Sequence, residues 1–444
     1  MIGISLFSNC GAGDVGYRSA GFNFEIMAEL ERQRLEICQL NHPGAIGFPG
    51  DLRETWFQVV YKWLSEHERD QRPTLLCACP PCQGMSSARA GIGKGDDFTN
   101  GHDERNLLVE VVAEVITYLK PRMVVLENVP QFLSRLVPHP VTGKGISAPR
   151  LLQERIGRDY HFFPILVDLA DYGVPQSRKR AFITLVRKED SPWLSPMLDA
   201  GRLPFPVVTH AGRRVTFERW FQQHELPELD PVLNHAAPND LLHAVSKWEA
   251  DDRRWAMIKA TASNGGSAWD NTRCEAGHDN PGVPDDAIWC THAECQRLLL
   301  RPIVQDKDGS HRLIKGFRSS SYRRMRADQV ASTVTTASGH IGSDINIHPS
   351  QHRLLSPREC ASLQTFPDDF KWGPLLERGS LGKIREMIGE AVPPLFTEAH
   401  GRVLASLLNG TVNYDELLPV TDERAVQALE RFEADPTQPV PTTT

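Results

Sequence analysis

The sequence lacks three features that would each define a class of protein: a long apolar run, a regular cysteine pattern and an excess of positive charge. No apolar run among the 444 residues approaches the roughly 20 residues that cross a bilayer. The first residues, MIGISLFSNCGAG, carry no positive side chain and do not resemble a secretory signal. We therefore predict that the protein has no membrane segment.

Cysteine occurs without regular spacing. The nine cysteines are an odd number, which argues against a disulfide framework. We expect reduced thiols and a cytoplasmic location, because disulfides persist mainly in oxidising compartments. The formal net charge of −7 gives no overall attraction to nucleic acid, but a local basic surface matters more than the total charge.

What the sequence does contain, over residues 1–186, is an alternation of strand-like and helix-like stretches. In Leu107–Leu119, apolar residues recur at three- and four-residue steps, as on one face of a helix. This alternation predicts an α/β domain with a doubly wound parallel sheet, and strands this apolar are expected when both faces are covered. The expected strands are Ile2–Ser8, Phe24–Glu29, Thr74–Cys79, Met123–Glu127 and Ala181–Val186.

The rest of the chain divides by composition. Residues 187–352 lose periodicity and are rich in Pro, Gly, His and Trp, which predicts a smaller, irregular domain. Residues 353–432 regain helical character and are expected to form a hinge and C-terminal helices that return to the first domain. Residues 433–444 have the composition of a disordered tail.

A glycine-containing turn follows the first expected strand, in LFSNCGAG over residues 6–13. Such a turn, opening a helix, lets the backbone approach a nucleotide-like ligand. Glu29 ends the second expected strand, where an acid commonly binds ribose hydroxyls, and Asp51 lies just beyond another strand end. Each acid could equally be a helix N-cap or part of a solvated turn, but their order along an α/β chain favours the ligand.

The stretch CACPPCQG, residues 77–84, has two interpretations. Cys79 and Cys82 have the C-x-x-C spacing of a redox dithiol, which also occurs at strand-to-helix turns. Alternatively, Cys82 is a lone nucleophile held by Pro80 and Pro81. The two prolines restrict closure of a disulfide, and the glycine-rich segment Gly84–Gly101 is typical of a mobile lid, which a small redox domain does not need.

Two polar clusters lie where an α/β enzyme would place reactive groups. Glu127 follows the apolar run MVVL, so it lies at the carboxyl end of a strand and could exchange a proton there. Arg178 and Arg180 share one face of a strand while Lys179 points away. Two arginines on one face suit phosphate or carboxylate groups, although a solvated sheet edge is the alternative.

Taken together, these stretches resemble the cytosine-C5 DNA methyltransferase family, in family order from residue 4 to about residue 407. The matching stretches are Phe7-Ser8-Asn9-Cys10-Gly11, the acids Glu29 and Asp51, Pro80-Pro81-Cys82-Gln83-Gly84, Asp103-Glu104-Arg105-Asn106, Glu127-Asn128-Val129, Gln176-x-Arg178-x-Arg180, Arg323-Arg324-Met325-Arg326 with Ser332-Thr333-Val334-Thr335-Thr336, Leu363-Gln364-Thr365-Phe366-Pro367, and Gly389-Glu390-Ala391-Val392-Pro393-Pro394.

The resemblance implies a Rossmann-like methyltransferase domain with a target-recognition domain at 187–352. It implies transfer of a methyl group from S-adenosylmethionine to C5 of a flipped-out cytosine in a specific double-stranded DNA sequence, through a covalent Cys82 adduct. A monomeric bacterial restriction-modification or phage-defence enzyme is expected. By the resemblance, the catalytic residues are Cys82, Glu127, Arg178 and Arg180; the cofactor residues are Phe7, Ser8, Asn9, Cys10, Gly11, Glu29, Asp51, Leu52, Pro81, Leu108, Glu390 and Ala391; and the DNA-binding residues are Gln83, Ser86, Arg323, Arg324, Arg326 and Thr335.

Two positions depart from the family pattern. Asn9 stands where glycine is usual, but asparagine tolerates positive φ better than other non-glycine residues, so the turn can survive. Glu390 stands where the family has asparagine. A carboxylate there is expected to weaken or rearrange binding of the cofactor's amino-acid end.

DNA contact is expected from the irregular domain. Residues 297–326 contain nine basic and two acidic side chains, so this basic stretch can meet phosphates although the whole chain is acidic. A transfer-RNA methyltransferase with the same fold is an alternative, but the recognition region is longer than a compact RNA-modifying relative needs. A DNA-binding relative without catalysis is disfavoured because all four catalytic residues are present.

Five residues of the types that bind metal ions lie within 22 positions: Cys274, His278, Cys290, His292 and Cys295. Zinc takes four such ligands. The spacings C-x3-H and C-x-H-x2-C do not match a common zinc finger, so the sequence leads us to expect no metal.

Overall fold

The structure is a computed structural model that describes residues 1–81, 108–315 and 318–434. The chain forms two compact units. Unit 1 comprises Met1–Gly173, Arg178–Ala211 and the chain from Ala391 onward; unit 2 comprises Val174–Ser177 and Gly212–Glu390. Unit 1 thus extends beyond the predicted limit at residue 186, and the helical region at 353–390 belongs to unit 2.

Unit 1 is built on a seven-stranded sheet of order β3-β2-β1-β4-β5-β9-β8. The strands of unit 1 are β1 (Ile2–Leu6), β2 (Asn23–Glu29), β3 (Ile46–Pro49), β4 (Leu75–Ala78), β5 (Met123–Asn128), β6 (Leu136–Pro138), β7 (Gly145–Ser147), β8 (Tyr160–Asp168), β9 (Lys179–Arg187), β10 (Arg202–Pro206) and β15 (Leu417–Pro419). All five expected strands are present, which confirms the predicted α/β domain.

The sheet is mixed rather than wholly parallel. Strands β1 to β5 are parallel, but β9 runs antiparallel to both β5 and β8. The expectation of a parallel sheet is therefore wrong for β9 alone, since β8, antiparallel to β9, runs in the same direction as β1 to β5. Strand β8 was not predicted; it contains Pro164 and lies at the sheet edge, where a missing backbone donor is tolerated.

Helices cover both faces of the sheet, as predicted. On one face, alternate strand residues such as Ile4, Leu126 and Ile183 join a core with helices α3, α4, α5 and α13. On the other face, Phe182 lies 4.7 Å from the Phe396 ring of helix α12. The helices of unit 1 are α1 (Ala12–Ser19), α2 (Arg32–Asn41), α3 (Leu52–Glu66), α4 (Leu108–Leu119), α5 (Ala148–Ile156), α6 (Leu194–Asp199), α12 (Pro394–Asn409) and α13 (Glu423–Glu433).

Unit 2 has few regular elements, as its composition predicted. A small core includes Trp269 and Tyr322, whose rings meet edge to face at 5.5 Å. Its elements are α7 (Phe217–Phe221), β11 (Ala236–Ala237), β12 (Asp240–Ala244), α8 (Arg253–Ala260), β13 (Ile303–Gln305), β14 (His311–Leu313), α9 (Pro357–Leu363), α10 (Gly373–Glu377) and α11 (Leu381–Glu390).

Across the three described ranges, the longest apolar helices fall short of what crossing a bilayer requires.

Candidate active site at the carboxyl ends of the parallel strands

The turn after β1 adopts a left-handed backbone. Phe7 and Asn9 have φ values of 57° and 51°, and Gly11 has a φ of 77°. The expectation that Asn9 would support positive φ in place of glycine is confirmed. A side chain on Gly11 would also meet the Cys38 Sγ and the His42 ring at 2.8 Å, so packing as well as the turn requires glycine there.

The carboxylate of Glu29 links the loops that follow β1 and β2. Its Oε2 accepts a hydrogen bond from the backbone N–H of Asn9 at 2.9 Å, and its Oε1 accepts one from the N–H of Glu31 at 3.2 Å. The backbone carbonyl of Glu29 accepts from the N–H of Gly50, after β3. Glu29 therefore holds together three neighbouring strand ends where the sequence predicted a ligand.

Asp51 caps helix α3. Its carboxylate accepts from the backbone N–H of Arg53 at 2.9 Å and pairs with the Arg53 guanidinium, which lowers the pKa of the Asp51 carboxyl. The N-cap that was the alternative interpretation is present, and the carboxylate stays partly exposed, so a ligand role is also open to it. Leu52, the first residue of α3, is buried.

The Ser8 and Cys10 side chains point into the protein. The Ser8 hydroxyl donates to the carbonyls of Ser5 and Ala28 at 3.1 and 3.2 Å. Cys10 is fully buried, and burial raises the pKa of its thiol to about 12. These two residues therefore shape the turn, and only their backbone atoms remain as candidates for ligand contact.

The end of β4 is fixed by the end of β5. The Asn128 side-chain N–H donates to the carbonyl of Pro80 at 2.9 Å, and the Asn128 Oδ1 accepts from the N–H of Val129. Pro81 is the last described residue before a gap. Cys82, Gln83 and Ser86 lie outside the described residues.

Cys79 has the properties of a structural thiol. Burial, followed by the nearby Glu127 carboxylate, raises the pKa of Cys79 well above its usual value. Thiolates are the attacking species in disulfide exchange, so a thiol with a raised pKa is a poor redox centre. This environment weighs against the dithiol interpretation of C-x-x-C.

Glu127 forms an ion pair with Arg180. The Arg180 Nε lies 2.8 Å from the Glu127 Oε1, and both side chains are largely shielded from solvent. The antiparallel pairing of β5 with β9 brings the two residues together, with Glu127 opposite Phe182. Arg178, which directly precedes β9, is buried, whereas Lys179 is exposed and Arg180 is half-buried.

Sequence reasoning missed two supporting residues. Asn128 was quoted within a motif but given no role. Asp168, at the end of the unpredicted β8, accepts a hydrogen bond from the backbone N–H of Arg178 at 3.0 Å and fixes the start of β9. An acid directly after the apolar run ILV was the available signal, but Pro164 obscured that run.

Unit 2 uses Arg324 internally. Its guanidinium is buried and donates to the backbone carbonyls of Thr261, His348, Gln351 and Ile258 at 2.6 to 3.2 Å. A direct phosphate contact would require breaking these bonds. We therefore assign Arg324 a structural role, in place of the predicted DNA contact.

The other residues predicted to bind DNA in unit 2 are more accessible. Arg326 is exposed and forms an ion pair with Asp328. Arg323 and Thr335 are half-buried, and the Thr335 hydroxyl lies 3.4 Å from that of Ser343. For these three residues a DNA contact stays a prediction.

Residues 174–177 are built into unit 2. The Gln176 side chain donates to the carbonyl of Leu363 and accepts from the N–H of Val334, both at 2.9 Å. Helix α11 approaches the stretch 332–336, which contains Val334, so closely that a side chain on Gly389 would come within 2.3 Å of the Thr336 nitrogen. The motifs at 176, 332–336, 363 and 389 thus meet in one packed region.

The remaining predicted cofactor residues are divided between the two units. Leu108 begins α4 and is buried in unit 1, as is Ala391. Glu390 ends α11 and is the last residue of unit 2. Contact of these residues with the cofactor stays a prediction.

Four of the five residues weighed as metal ligands converge in unit 2. The ligand atoms of Cys274, His278, Cys290 and Cys295 all lie within 4.8 Å of one another. His292 is not part of this cluster.

The arrangement of unit 1 defines an α/β enzyme whose polar groups collect at the carboxyl ends of parallel strands. A similar fold occurs in the crystal structure of a DNA modification methyltransferase encoded within an E. coli prophage. That structure aligns with a TM-score of 0.53 at 20% identity, over 92% of this chain and 99% of the other. At that identity the likeness shows the methyltransferase fold.

Sequence comparison gives the family. Residues 1–406 match the family described as C-5 cytosine-specific DNA methylase, and the chain belongs to that family. The type II methyltransferase M1.HgaI of Avibacterium volantium is 28% identical over 90% of this chain and 96% of its own length. The type II methyltransferase M1.HphI of Haemophilus parahaemolyticus is 27% identical over 89% and 84%.

The chain is therefore a DNA cytosine-5 methyltransferase, and the transfer-RNA alternative is not favoured. Methyltransferases of this family use S-adenosylmethionine in general.

Proposed function

We propose that this methyltransferase acts on double-stranded DNA as a cytoplasmic monomer in a type II restriction-modification system, with Cys82 as the nucleophile. The names of its bacterial relatives support the restriction-modification role. The observation that carries the catalytic proposal is the Glu127–Arg180 ion pair on β5 and β9, beside the Pro80 carbonyl that Asn128 holds. The described chain stops at Pro81, one residue before Cys82.

The proposed reaction begins with the Cys82 thiolate, which forms a bond to C6 of a flipped-out cytosine. This addition makes C5 nucleophilic, and Glu127 shares a proton at N3 to limit the developing charge. Once C5 carries the methyl group, a base removes the C5 proton, and the electrons of that C–H bond re-form the ring double bond and expel Cys82 as the thiolate. A resting thiol is only a few percent ionised near neutral pH, so a nearby arginine such as Arg178 or Arg180 would favour the thiolate.

Base flipping is required because C6 cannot be reached inside a stacked duplex, and it costs a few kcal/mol. The glycine-rich segment Gly84–Gly101, which the sequence predicts to be a mobile lid, lies outside the described residues. The Glu127–Arg180 pair keeps the carboxylate in one orientation for the N3 contact.

The chemical types of the residues at the strand ends suit the binding of S-adenosylmethionine. A left-handed turn at residues 7–11 opens helix α1, and the acids Glu29 and Asp51 follow β2 and β3. Backbone N–H groups at such a turn suit an anionic group, and the two acids suit hydroxyl or amino groups. The cofactor supplies the activated methyl group. We propose that Glu29, Asp51 and the turn hold it, together with Leu52, Pro81, Leu108 and Ala391 of unit 1.

The nucleophile is tested with the matched variants Cys82→Ala and Cys79→Ser. Methyl incorporation from labelled S-adenosylmethionine should fall by several orders of magnitude in the first variant, because no thiol can reach C6. It should change less than about tenfold in the second, because methyl transfer needs only one cysteine. DNA affinity should survive in both.

A covalent trap sharpens this test. Duplex DNA carrying 5-fluorocytosine has no C5 proton to lose, so the enzyme should remain bound to it in denaturing electrophoresis. The adduct should form with wild type and Cys79→Ser and be absent with Cys82→Ala. Adduct formation that depends on Cys79 instead would revive the dithiol interpretation.

A further inference from the structure

A loop region of unit 2 folds without an apolar core. Between Asp270 and Ile303, a span described throughout, the only strand-like pairing consists of isolated bridges such as Cys274 with Leu299 and Trp289 with Leu298. Within residues 275–298 no apolar side chain is buried. Small regions that cannot bury apolar surface usually depend on disulfides or a metal ion.

Three thiols and one imidazole meet at the centre of this region. The Cys274 Sγ lies 3.9 Å from the Cys295 Sγ, and the Cys290 Sγ lies 3.8 Å from the His278 Nδ1. A tetrahedral zinc ion separates two sulfur ligands by about 3.8 Å, and sulfur from nitrogen by about 3.6 Å, given bonds of about 2.3 and 2.1 Å. A disulfide would instead need sulfur atoms about 2.05 Å apart.

Local hydrogen bonds present the ligands from two tight loops. In the first loop, the Cys274 N–H donates to the carbonyl of His278 at 3.0 Å, and Gly277 has a φ of 87°. In the second, the Cys290 N–H donates to the carbonyl of Arg297 at 2.9 Å, and the Cys295 N–H donates to that of His292. Each loop therefore brings two ligands to the same place.

The two loops are joined by Asn280, which is buried. Its side-chain N–H group donates to the carbonyls of Thr272 and His278 at 2.9 and 3.0 Å. Its Oδ1 accepts from the backbone N–H of Thr291 at 2.6 Å. These hydrogen bonds of Asn280 hold the first loop, with Cys274 and His278, beside the second loop, with Cys290 and Cys295.

His292 is a neighbour of the cluster and not one of its ligands. Its Nε2 hydrogen-bonds to the carbonyl of Asp279 at 3.1 Å, and its ring packs on that of His278 at 4.6 Å. Without His292, the spacings become C-x3-H and C-x4-C, which lie within the range of structural zinc sites. The irregular spacing that argued against a metal came from counting His292.

We propose that Cys274, His278, Cys290 and Cys295 bind one structural zinc ion. Three thiolates and an imidazole are ligands that suit zinc, and four protein ligands leave no open position for catalysis. The ion takes the place of the missing apolar core between residues 275 and 298. The second loop leads directly into the basic stretch 297–326, so the metal also fixes where that stretch begins.

Metal content of the full-length protein, purified without chelators, tests the proposal. We expect about one zinc ion per chain, and less than about 0.2 in Cys290→Ser and Cys295→Ser. The matched control His292→Ala, altered inside the same loop but outside the ligand set, should keep its zinc. Equal zinc loss in His292→Ala would overturn the ligand assignment.

A second measurement on the wild type avoids variants that fail to fold. Exchange of the metal for Co²⁺ should give the intense visible absorption of a tetrahedral thiolate site. Chelation should speed hydrogen exchange in residues 274–299 and leave the sheet of unit 1 protected. The proposal would be refuted if the purified protein contains no metal and gives no cobalt spectrum. It would also be refuted if a peptide map shows a Cys274–Cys295 disulfide.

Discussion

Unit 1 and unit 2 satisfy their buried backbone groups in different ways. In unit 1, the seven strands pair their N–H and C=O groups with one another, and the core between sheet and helices is almost entirely aliphatic and aromatic. In unit 2, much of the backbone is irregular, and buried arginines donate to its carbonyls. Besides Arg324, Arg301 donates to the carbonyls of Asn271, Pro284 and Ala287.

The difference shows what an irregular domain needs. Every buried carbonyl requires a donor, and where no sheet or helix supplies one, a side chain must. Arginine suits this role because its planar guanidinium carries five donors. The arrangement has a cost, since burial lowers the pKa of Arg324 to about 10.

The largest expected effect comes from Arg324→Met, which removes the donor but keeps much of the volume. The carbonyls of Thr261, His348 and Gln351 lose this donor, while that of Ile258 keeps the Thr261 N–H. At about 1 to 2 kcal/mol each, the free energy of unfolding should fall by roughly 4 kcal/mol. The exposed Arg326→Met is the matched control and should cost less than about 1 kcal/mol. Hydrogen exchange should show loss of protection in unit 2 peptides. If Arg324→Met and Arg326→Met lost similar amounts of unfolding free energy, buried arginines would not be what stabilises the irregular backbone of unit 2.

In unit 1, a pH-dependent loss of stability is expected from the ionisation of Asp14. Its buried carboxyl accepts a hydrogen bond at Oδ2 from the Ser5 hydroxyl at 2.8 Å. Burial raises the pKa of Asp14 from 3.8 to about 7, although the Ser5 hydroxyl lowers it. The folded state therefore holds this proton more tightly than the unfolded chain does. The associated stability is complete below about pH 4 and is lost as the pH rises through about 7, a change on the order of 4 kcal/mol.

Asp14→Asn should abolish that pH dependence, because an amide keeps the acceptor for Ser5 and cannot ionise. Urea unfolding measured from about pH 4 to about pH 8 should show wild type losing stability relative to the variant. Parallel profiles for the two proteins would mean that Asp14 is not protonated in the folded state.

The smallest expected effect on stability comes from removing either of two matched helix caps. Asp51 in unit 1 and Asp252 in unit 2 each accept from the backbone N–H two residues later and pair with an arginine there. Asp51→Ala and Asp252→Ala should each cost about 1 kcal/mol of stability. If Asp51 also holds S-adenosylmethionine, only Asp51→Ala should weaken cofactor binding in calorimetric titration. Equal cofactor affinity in the two variants would leave Asp51 as a cap alone.

Much of unit 1 could be predicted because its signals are local. The five expected strands are runs of adjacent apolar residues, and the ends of two of them marked the positions of Glu29 and Glu127. The direction of β9 could not be predicted, since an apolar run is the same in a parallel or an antiparallel pair. Strand β8 was not predicted because Pro164 interrupts its apolar run. The proline is tolerated because β8 lies at the edge of the sheet.

By itself, the sequence determined the α/β class, the order of the motifs and the family, because these depend on residues that are neighbours along the chain. The tertiary structure alone decided that Arg324 points inward and that Arg180 pairs with Glu127. It also decided which four of five candidate ligands converge. These outcomes depend on distances between residues far apart in sequence, and such distances are set by packing and by the need to satisfy every buried polar group.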